Sequence, residues 1–219
     1  MKKNITNIFN EYSSTSSYWA GLLAADGRID INNTVGLELS YKDAYMIDLF
    51  KSDMRSEHSI YFRDSTQASS IRFIDVEIVD SLKYNFSVTS DKTFNLSLPI
   101  LPENAYPHYF RGVFDGDGCV TEFFNNRPTA SFRVYQTSGS LIFLEDILVF
   151  LKQHGICIGG SIQKKAANCW HLQLGVRDST SFLNYIYLNN QIDGLRLLKR
   201  KYDKYVKIVI NNDRDKIKV

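Results

Sequence analysis

The sequence predicts a mixed α/β (α+β) fold of two tandem, pseudo-symmetric αββαββ units, and three observations carry that prediction. The stretch "YWAGLLAADGRI", Tyr18 to Ile29, returns some ninety residues later as "YFRGVFDGDGCV", Tyr109 to Val120. Each copy places an aromatic pair first, then a glycine, apolar residues and Asp-Gly. After each copy, stretches of period-two alternation and of helical spacing follow in the same order. Between the copies lies "SLPILPENAYP", which holds three of the chain's four prolines and suits a connection.

The elements follow in chain order. Residues 1–17 form a polar lead-in with two lysines and no apolar run of the kind a signal peptide needs. The first unit, residues 18–98, begins with the motif helix. "RIDINN" and "TVGLELS" then alternate, with Ile29, Ile31, Val35, Leu37 and Leu39 on one parity and expected inward. "KDAYMIDLFKSDM" has helical spacing, with apolar residues at Ala44, Ile47 and Met54 and at Met46, Leu49 and Phe50. "SIYFRD" and "SIRFID" alternate again, and "VEIVDSLKYNF" returns to a helix. A connection, residues 99–108, leads to the second unit, residues 109–219. There "CVTEFFN" and "TASFRVYQ" read as a strand pair around the turn signal "NNRP". "SGSLIFLEDILVFLKQHG" is a helix that Ser138 or Ser140 can cap at its start and Gly155 at its end. "ICIGGSIQKK" and "CWHLQLGV" give another strand pair, "DSTSFLNYIYLNN" a helix, and a basic helix starts near Leu195.

Composition narrows the class. A chain of 219 residues, 44% apolar and 23% charged, is long enough to bury a core. Its longest apolar runs, such as "ILVFL" at Ile147 to Leu151, are too short to span a bilayer. Cys119, Cys157 and Cys169 show no disulfide or zinc-ligand spacing, which suits a reduced, intracellular setting and small buried hydrophobes. The four histidines are scattered without ligand spacing. A net charge of +2 names no partner. The distribution says more: Arg196, Lys199, Arg200, Lys201, Lys204, Lys207, Arg214, Lys216 and Lys218 stand near the C-terminus against three aspartates, a pattern suited to phosphate contacts.

The repeated motif has a physical reading of its own. Gly21 and Ala25 lie four residues apart on one helix face, as do Gly112 and Gly116, so each helix offers a strip of small residues. If the strips meet, the axes approach to the short end of normal packing, roughly 8 Å. The two copies then form the seam between halves. Gly27 and Gly118 stand where a helix end favours a left-handed residue. Asp26 and Asp117 thereby fall in the last turn, at the negative end of the macrodipole, where a carboxylate is unfavourable by about 0.3–1 kcal/mol. Parallel packing adds mutual repulsion, so the pair needs a compensating cation. Carboxylates, backbone carbonyls and water suit Mg²⁺ better than zinc.

The stretches "WAGLLAADG", Trp19 to Gly27, and "FRGVFDGDG", Phe110 to Gly118, resemble the signature of the LAGLIDADG homing endonucleases. The repeat length, the αββαββ order and "LLKRKYDKY", Leu197 to Tyr205, extend the resemblance over nearly the whole chain. It implies a saddle-shaped antiparallel-sheet surface with the motif helices at the interface. It also implies a monomer without an obligate protein partner or membrane, cutting both strands of double-stranded DNA at a long, mostly asymmetric site and leaving 3′ overhangs. Such an enzyme is encoded in an intron or a free-standing mobile reading frame. In the family the second acid of each motif binds Mg²⁺, a site that Mn²⁺ or Ca²⁺ can occupy, and the carbonyl before it contributes. Those positions are Asp26 and Asp117, with Ala25 and Gly116. Gln136 matches a residue that orients water, and Lys199 a basic residue near the scissile phosphate. Lys92 is a weaker counterpart of that lysine, and the first half lacks a glutamine around Leu39, Ser40 and Lys42. The sequence departs from the pattern at Ala24, where Asp115 keeps the motif's first acid. It departs again at Arg111, which replaces a small residue and is expected to project outward or pair with an acid. The alternative is an idle or dual-function relative that binds DNA or RNA, such as an intron maturase or a transcriptional regulator.

Strand parity proposes the base-reading side chains. With Ile29 and Ile31 inward, Arg28, Asp30 and Asn32 point out, as do Glu38, Tyr61, Arg63, Arg72, Arg133, Tyr135, Gln163, Lys165, His171 and Gln173. These types suit major-groove edges, with Arg to guanine, Asn and Gln to adenine, and acids to cytosine.

Overall fold

The computed structural model describes residues 4–124, 131–188 and 196–210. The turn signal "NNRP" and the basic residues Arg214, Lys216 and Lys218 lie outside them. In the first unit helix α1 (Ser14–Ala25) leads into strands β1 (Gly27–Ile29) and β2 (Thr34–Ser40), helix α2 (Ala44–Asp53), strands β3 (Ile60–Arg63) and β4 (Ala68–Ile74), helix α3 (Val76–Phe86) and the short α4 (Lys92–Asn95). The second unit repeats this as α5 (Tyr106–Asp117), β5 (Gly118–Phe123), β6 (Ser131–Ser138), α6 (Leu141–Gln153), β7 (Ser161–Ala166), β8 (Cys169–Gln173) and α7 (Val176–Tyr187). A last helix, α8 (Lys199–Tyr205), continues as a π turn to Ile210. The two antiparallel sheets have matching strand orders, β1-β2-β4-β3 and β5-β6-β8-β7.

Alternation sets the inner face of each sheet. In β2 and β4 the buried side chains are Val35, Leu37, Leu39, Ile71 and Phe73. They pack against the buried stripe of α2, Met46, Ile47 and Phe50. In the second unit Phe132, Val134 and Leu172 are buried on strands packed against α6 and α7, and Val120 on β5, which packs against α5 and α8. Local chemistry marks the helix ends. Ser13 forms a capping box at α1, Asp75 accepts from the Ile78 N–H at α3, and Ser140 accepts from the Phe143 N–H at α6. Gly155 follows α6 at φ +66°, where a side chain would strain the turn.

Three expectations need correction. Ile31 does not face the core but is 88% exposed. Strand alternation stops at Ile29, because Asp30 accepts the N–H groups of Asn32 and Thr34 and folds the chain into a tight turn with Asn33 left-handed. Gly27 and Gly118 are not left-handed residues; Gly118 is extended at φ −85° and ψ 154°. They are glycines because of close approach. A β-carbon on Gly27 would lie 2.6 Å from the Leu23 Cα, and one on Gly118 would overlap the Phe114 ring. Finally, of the two alternatives for Arg111 the outward one fails, and the Arg111 charge instead acts on the buried Asp115. Arg111 is 1% exposed, donates to the carbonyls of Arg196 and Ile186, and stands 5.4 Å over the Tyr18 ring. A guanidinium with carbonyl acceptors and an aromatic face is tolerated in the interior, whereas an unpaired one is not.

The helices α1 and α5 make the most extensive contact between elements. A β-carbon on Gly21 would overlap the Tyr109 carbonyl oxygen. One on Gly112 would overlap the Tyr18 carbonyl oxygen and lie 2.7 Å from the Leu22 nitrogen. One on Gly116 would overlap the Ala25 side chain. The seam is backbone against backbone.

Candidate active site at the helix seam

Asp26 caps α1 and Asp117 ends α5, so the seam carries both carboxylates to one end of the helix pair. A β-carbon on Gly116 would be 3.4 Å from the Asp26 carboxyl carbon, which places Asp26 against the partner helix. Both acids are solvent-exposed. Among the described residues, neither carboxylate accepts a hydrogen bond or forms an ion pair. Neighbouring protein atoms nevertheless exclude enough water to push Asp117 up to about 6, helped by the Asp26 charge and opposed by Lys92 and Lys201. Partial dehydration raises Asp26 too, against the pull of Lys201, Lys92 and Arg200.

Each helix end is met by a lysine. The Lys92 ammonium donates to the carbonyls of Ala24 at 2.9 Å and Ala25 at 3.0 Å. The Lys201 ammonium, almost fully buried, donates to those of Phe114 at 2.7 Å, Asp115 at 2.6 Å, Gly116 at 3.1 Å and Gly118 at 2.6 Å. A cation is favourable at a helix C-terminus. Burial brings Lys201 down to about 8, with Asp115 acting against that shift. The lysines therefore already supply part of the compensation that the acid pair demands.

The oxygen atoms here are of the kind a hard cation takes, two carboxylates beside the carbonyls of Ala25 and Gly116, although those carbonyls already accept from Lys92 and Lys201. Among the described residues no three His, Cys, Asp or Glu side chains come together as a group that could hold a metal ion. Asp26 also lines a trough of about 600 Å³ over the outer face of the first sheet, with Arg28, Asp30, Glu38, Arg63 and Arg72. Arg63 pairs with Glu38 at 3.6 Å and Arg28 with Asp30 at 3.8 Å, exposed pairs that exchange partners at little cost. Arg72 stands 5.5 Å over the Tyr61 ring. Asn32 is exposed in the hairpin turn. On the second sheet Arg133, Tyr135 and Gln173 are half-buried on the outer face, with Arg133 4.6 Å over the Phe123 ring. Gln163 and Lys165 are exposed on β7, Lys165 inside a bulge. His171 shares that face by register but is only 7% exposed, its ring 5.3 Å from that of Tyr135.

Among the described residues, Gln136 and Lys199 make no hydrogen bond to either acid. Gln136 pairs with Gly118 in the end pair of the β5-β6 ladder, two residues before β6 finishes. Its side chain turns inward, donating to the carbonyls of Val113 and Thr137. The matching partner of Gly27 is Leu37, which is fully apolar. The Lys199 side chain is exposed at the start of α8; the lysine that reaches the motif helix is Lys201. Sequence reasoning passed over Lys201 because it took the first lysine of "LLKRK". The available signal was helical phase, since residues two apart point to opposite sides.

Residues 105–185 match the family model of the LAGLIDADG-like domain. No curated protein matches the sequence. Among solved structures, the chain is similar to the I-LtrWI LAGLIDADG homing endonuclease bound to target DNA, with a TM-score of 0.63 and 12% identity over 93% of this chain and 92% of that one. It is similar to the LAGLIDADG meganuclease I-AabMI bound to uncleaved DNA, at 0.60 and 13% over 92% and 91%. It is also similar to the N-terminal LAGLIDADG domain of WhiA, at 0.57 and 16% over 86% and 88%. Residues 105–185 thus match a LAGLIDADG-like domain, and across both units the chain has the fold seen in LAGLIDADG homing endonucleases.

Proposed function

We propose that the protein is a site-specific double-strand DNA endonuclease, acting as a single chain with a divalent cation, Mg²⁺ first, at Asp26 and Asp117. The observation that carries this reading is the pair of carboxylates, without hydrogen-bond partners among the described residues, held together at the seam against their own repulsion. A purely structural pair would be bridged by donors, because an unmatched charge in a partly dehydrated place is costly. In this reading the carboxylates and the carbonyls of Ala25 and Gly116 hold the cation. When bound, that ion lowers the pKa of water and stabilises the leaving 3′ oxygen. Lys92 and Lys201 fix the helix ends and put positive charge beside the scissile phosphates. The outer-face Arg28, Arg63, Arg72, Arg133, Gln163, Lys165 and Gln173 read bases or hold phosphates, and the two units differ there, so the site is asymmetric. Among the described residues no helix is long and apolar enough to cross a bilayer.

The likeness to the LAGLIDADG domain of WhiA favours a second reading, a nucleic-acid-binding module that does not cut. One experiment separates them. The protein is incubated with a randomised duplex library with and without Mg²⁺, and both retained and cut molecules are sequenced. Mg²⁺-dependent ends with one common flanking sequence are expected. Retention of a sequence without cutting would establish the binding module, and neither retention nor cutting would end both readings.

A further inference from the structure

The buried acid of the second motif has no role in the reading above, and its surroundings give it one. Asp115 is fully buried. Its Oδ2 accepts the Leu198 N–H at 2.7 Å and the Tyr18 hydroxyl at 2.8 Å, while Oδ1 accepts the Tyr187 hydroxyl at 3.4 Å. Leu198 is the residue from which α8 starts, and Lys201 lies in the first turn of that helix. One carboxylate thus ties the start of α8 to both motif helices, and α8 in turn lays the Lys201 ammonium on four carbonyls at the end of α5. An ammonium has three N–H groups, so with four acceptors within 3.1 Å at least one N–H is shared between two carbonyls.

The first unit lacks this device, and the lack leaves a trace. Tyr109 matches Tyr18 by its place in the motif, and Ala24 matches Asp115. Among the described residues the buried Tyr109 hydroxyl meets no hydrogen-bond partner, where Tyr18 has the Asp115 carboxylate. Lys92 comes instead from the four-residue α4 and reaches only two carbonyls.

We propose that Asp115 is a positioning residue for Lys201, a buried latch that makes the Asp117 end of the site more tightly organised than the Asp26 end. The strand-cutting consequence rests on the nuclease reading; the positioning itself does not.

The first test needs neither DNA nor a metal. Intact protein is treated briefly with an amine-acylating reagent, and the labelling of each lysine is measured by mass spectrometry. In the unaltered protein Lys201 should be protected relative to exposed Lys199. Asp115→Ala should raise Lys201 labelling by roughly 10-fold or more, the scale on which orienting partners act, with Lys92 unchanged. Asp115→Asn, which keeps an acceptor of the same shape, should restore most of the protection. If Asp115→Ala does not fold, Leu198→Pro removes the donor from the other side at a φ of −75° that proline adopts. Unchanged Lys201 labelling in the folded variant, or equal exposure of Lys92, overturns the proposal. The second test uses the duplex recovered above with each strand end-labelled. Asp115→Ala should slow one strand selectively and accumulate a nicked product; equal slowing of both strands overturns the asymmetry. Failure of the unaltered protein to cut would instead sink the nuclease reading and leave the labelling result standing.

Discussion

Asp117 carries the titration of the site. Dehydration and the Asp26 charge push it up to about 6, while burial brings Lys201 down to about 8. A carboxyl raised on folding binds a proton that the unfolded chain has lost, so its favourable contribution is present at acid pH and disappears as pH rises through about 6. An ammonium lowered on folding acts with the opposite sign, and its penalty is relieved as pH rises above about 8. The metal-free protein therefore carries its largest electrostatic penalty between these values. A divalent cation on the carboxylates should relieve it, so Mg²⁺ is expected to raise Tm more at about pH 7 than at about pH 5. Equal shifts in a thermal melt would place the cation elsewhere. Asp26→Asn and Asp117→Asn should each abolish double-strand cleavage while leaving affinity for the recovered duplex within a few-fold. A parallel loss of binding, measured by mobility shift, would assign the acids to folding. The two acids were legible in the sequence because an Asp-Gly at the end of an apolar run occurs twice in one register. Lys201 and Arg111 were not legible, since which neighbour of a lysine run faces inward, and which carbonyls await a buried guanidinium, are set by packing between distant segments.

At the scale of elements, the seam is the feature that most constrains the chain. Gly112→Ala should cost about 1–3 kcal/mol in a denaturation experiment, because its β-carbon overlaps the Tyr18 carbonyl and α1 must move away. Gly36→Ala in β2 is the matched control. Its nearest neighbour would be 3.7 Å away, ordinary contact, and it should change stability little. A neutral Gly112→Ala would contradict the close seam. The small-residue spacing made this interface readable without coordinates, and strand alternation located the sheets. The same alternation misplaced Ile31, because Asp30 accepts two backbone N–H groups and turns the chain before a second inward residue can follow. It also could not assign Gln136. A glutamine two residues from the end of an eight-residue strand looks like a terminal polar residue, yet its parity is that of Phe132 and Val134, so it faces the core.

For the whole molecule, the C-terminal segment is a clasp between the units as well as a basic surface. Arg196 makes a two-pronged ion pair with Asp53 of α2, both contacts at 2.8 Å, and Asp53 also accepts from the Trp19 indole at 2.7 Å. Arg200 pairs with Asp43 at 2.9 Å. The Tyr45 hydroxyl donates to the Leu197 carbonyl and accepts the Lys199 N–H. Two arginines that the sequence offered as phosphate contacts are therefore engaged in joining the second unit to the first, which charge counting alone has no means to detect. Asp53→Ala should destabilise the protein by about 1.5–3 kcal/mol, since it removes charged hydrogen bonds from a largely shielded place. Arg196→Ala should act through the same contact. It should lower stability but leave the slope of log affinity against log salt for the recovered duplex unchanged, whereas Lys165→Ala, on an exposed strand, should reduce that slope by about 0.9 if it meets a phosphate. A fall of that size for Arg196→Ala, with stability intact, would return the C-terminal arginines to the nucleic acid and remove the clasp that holds Lys201, α5 and the first unit in one frame.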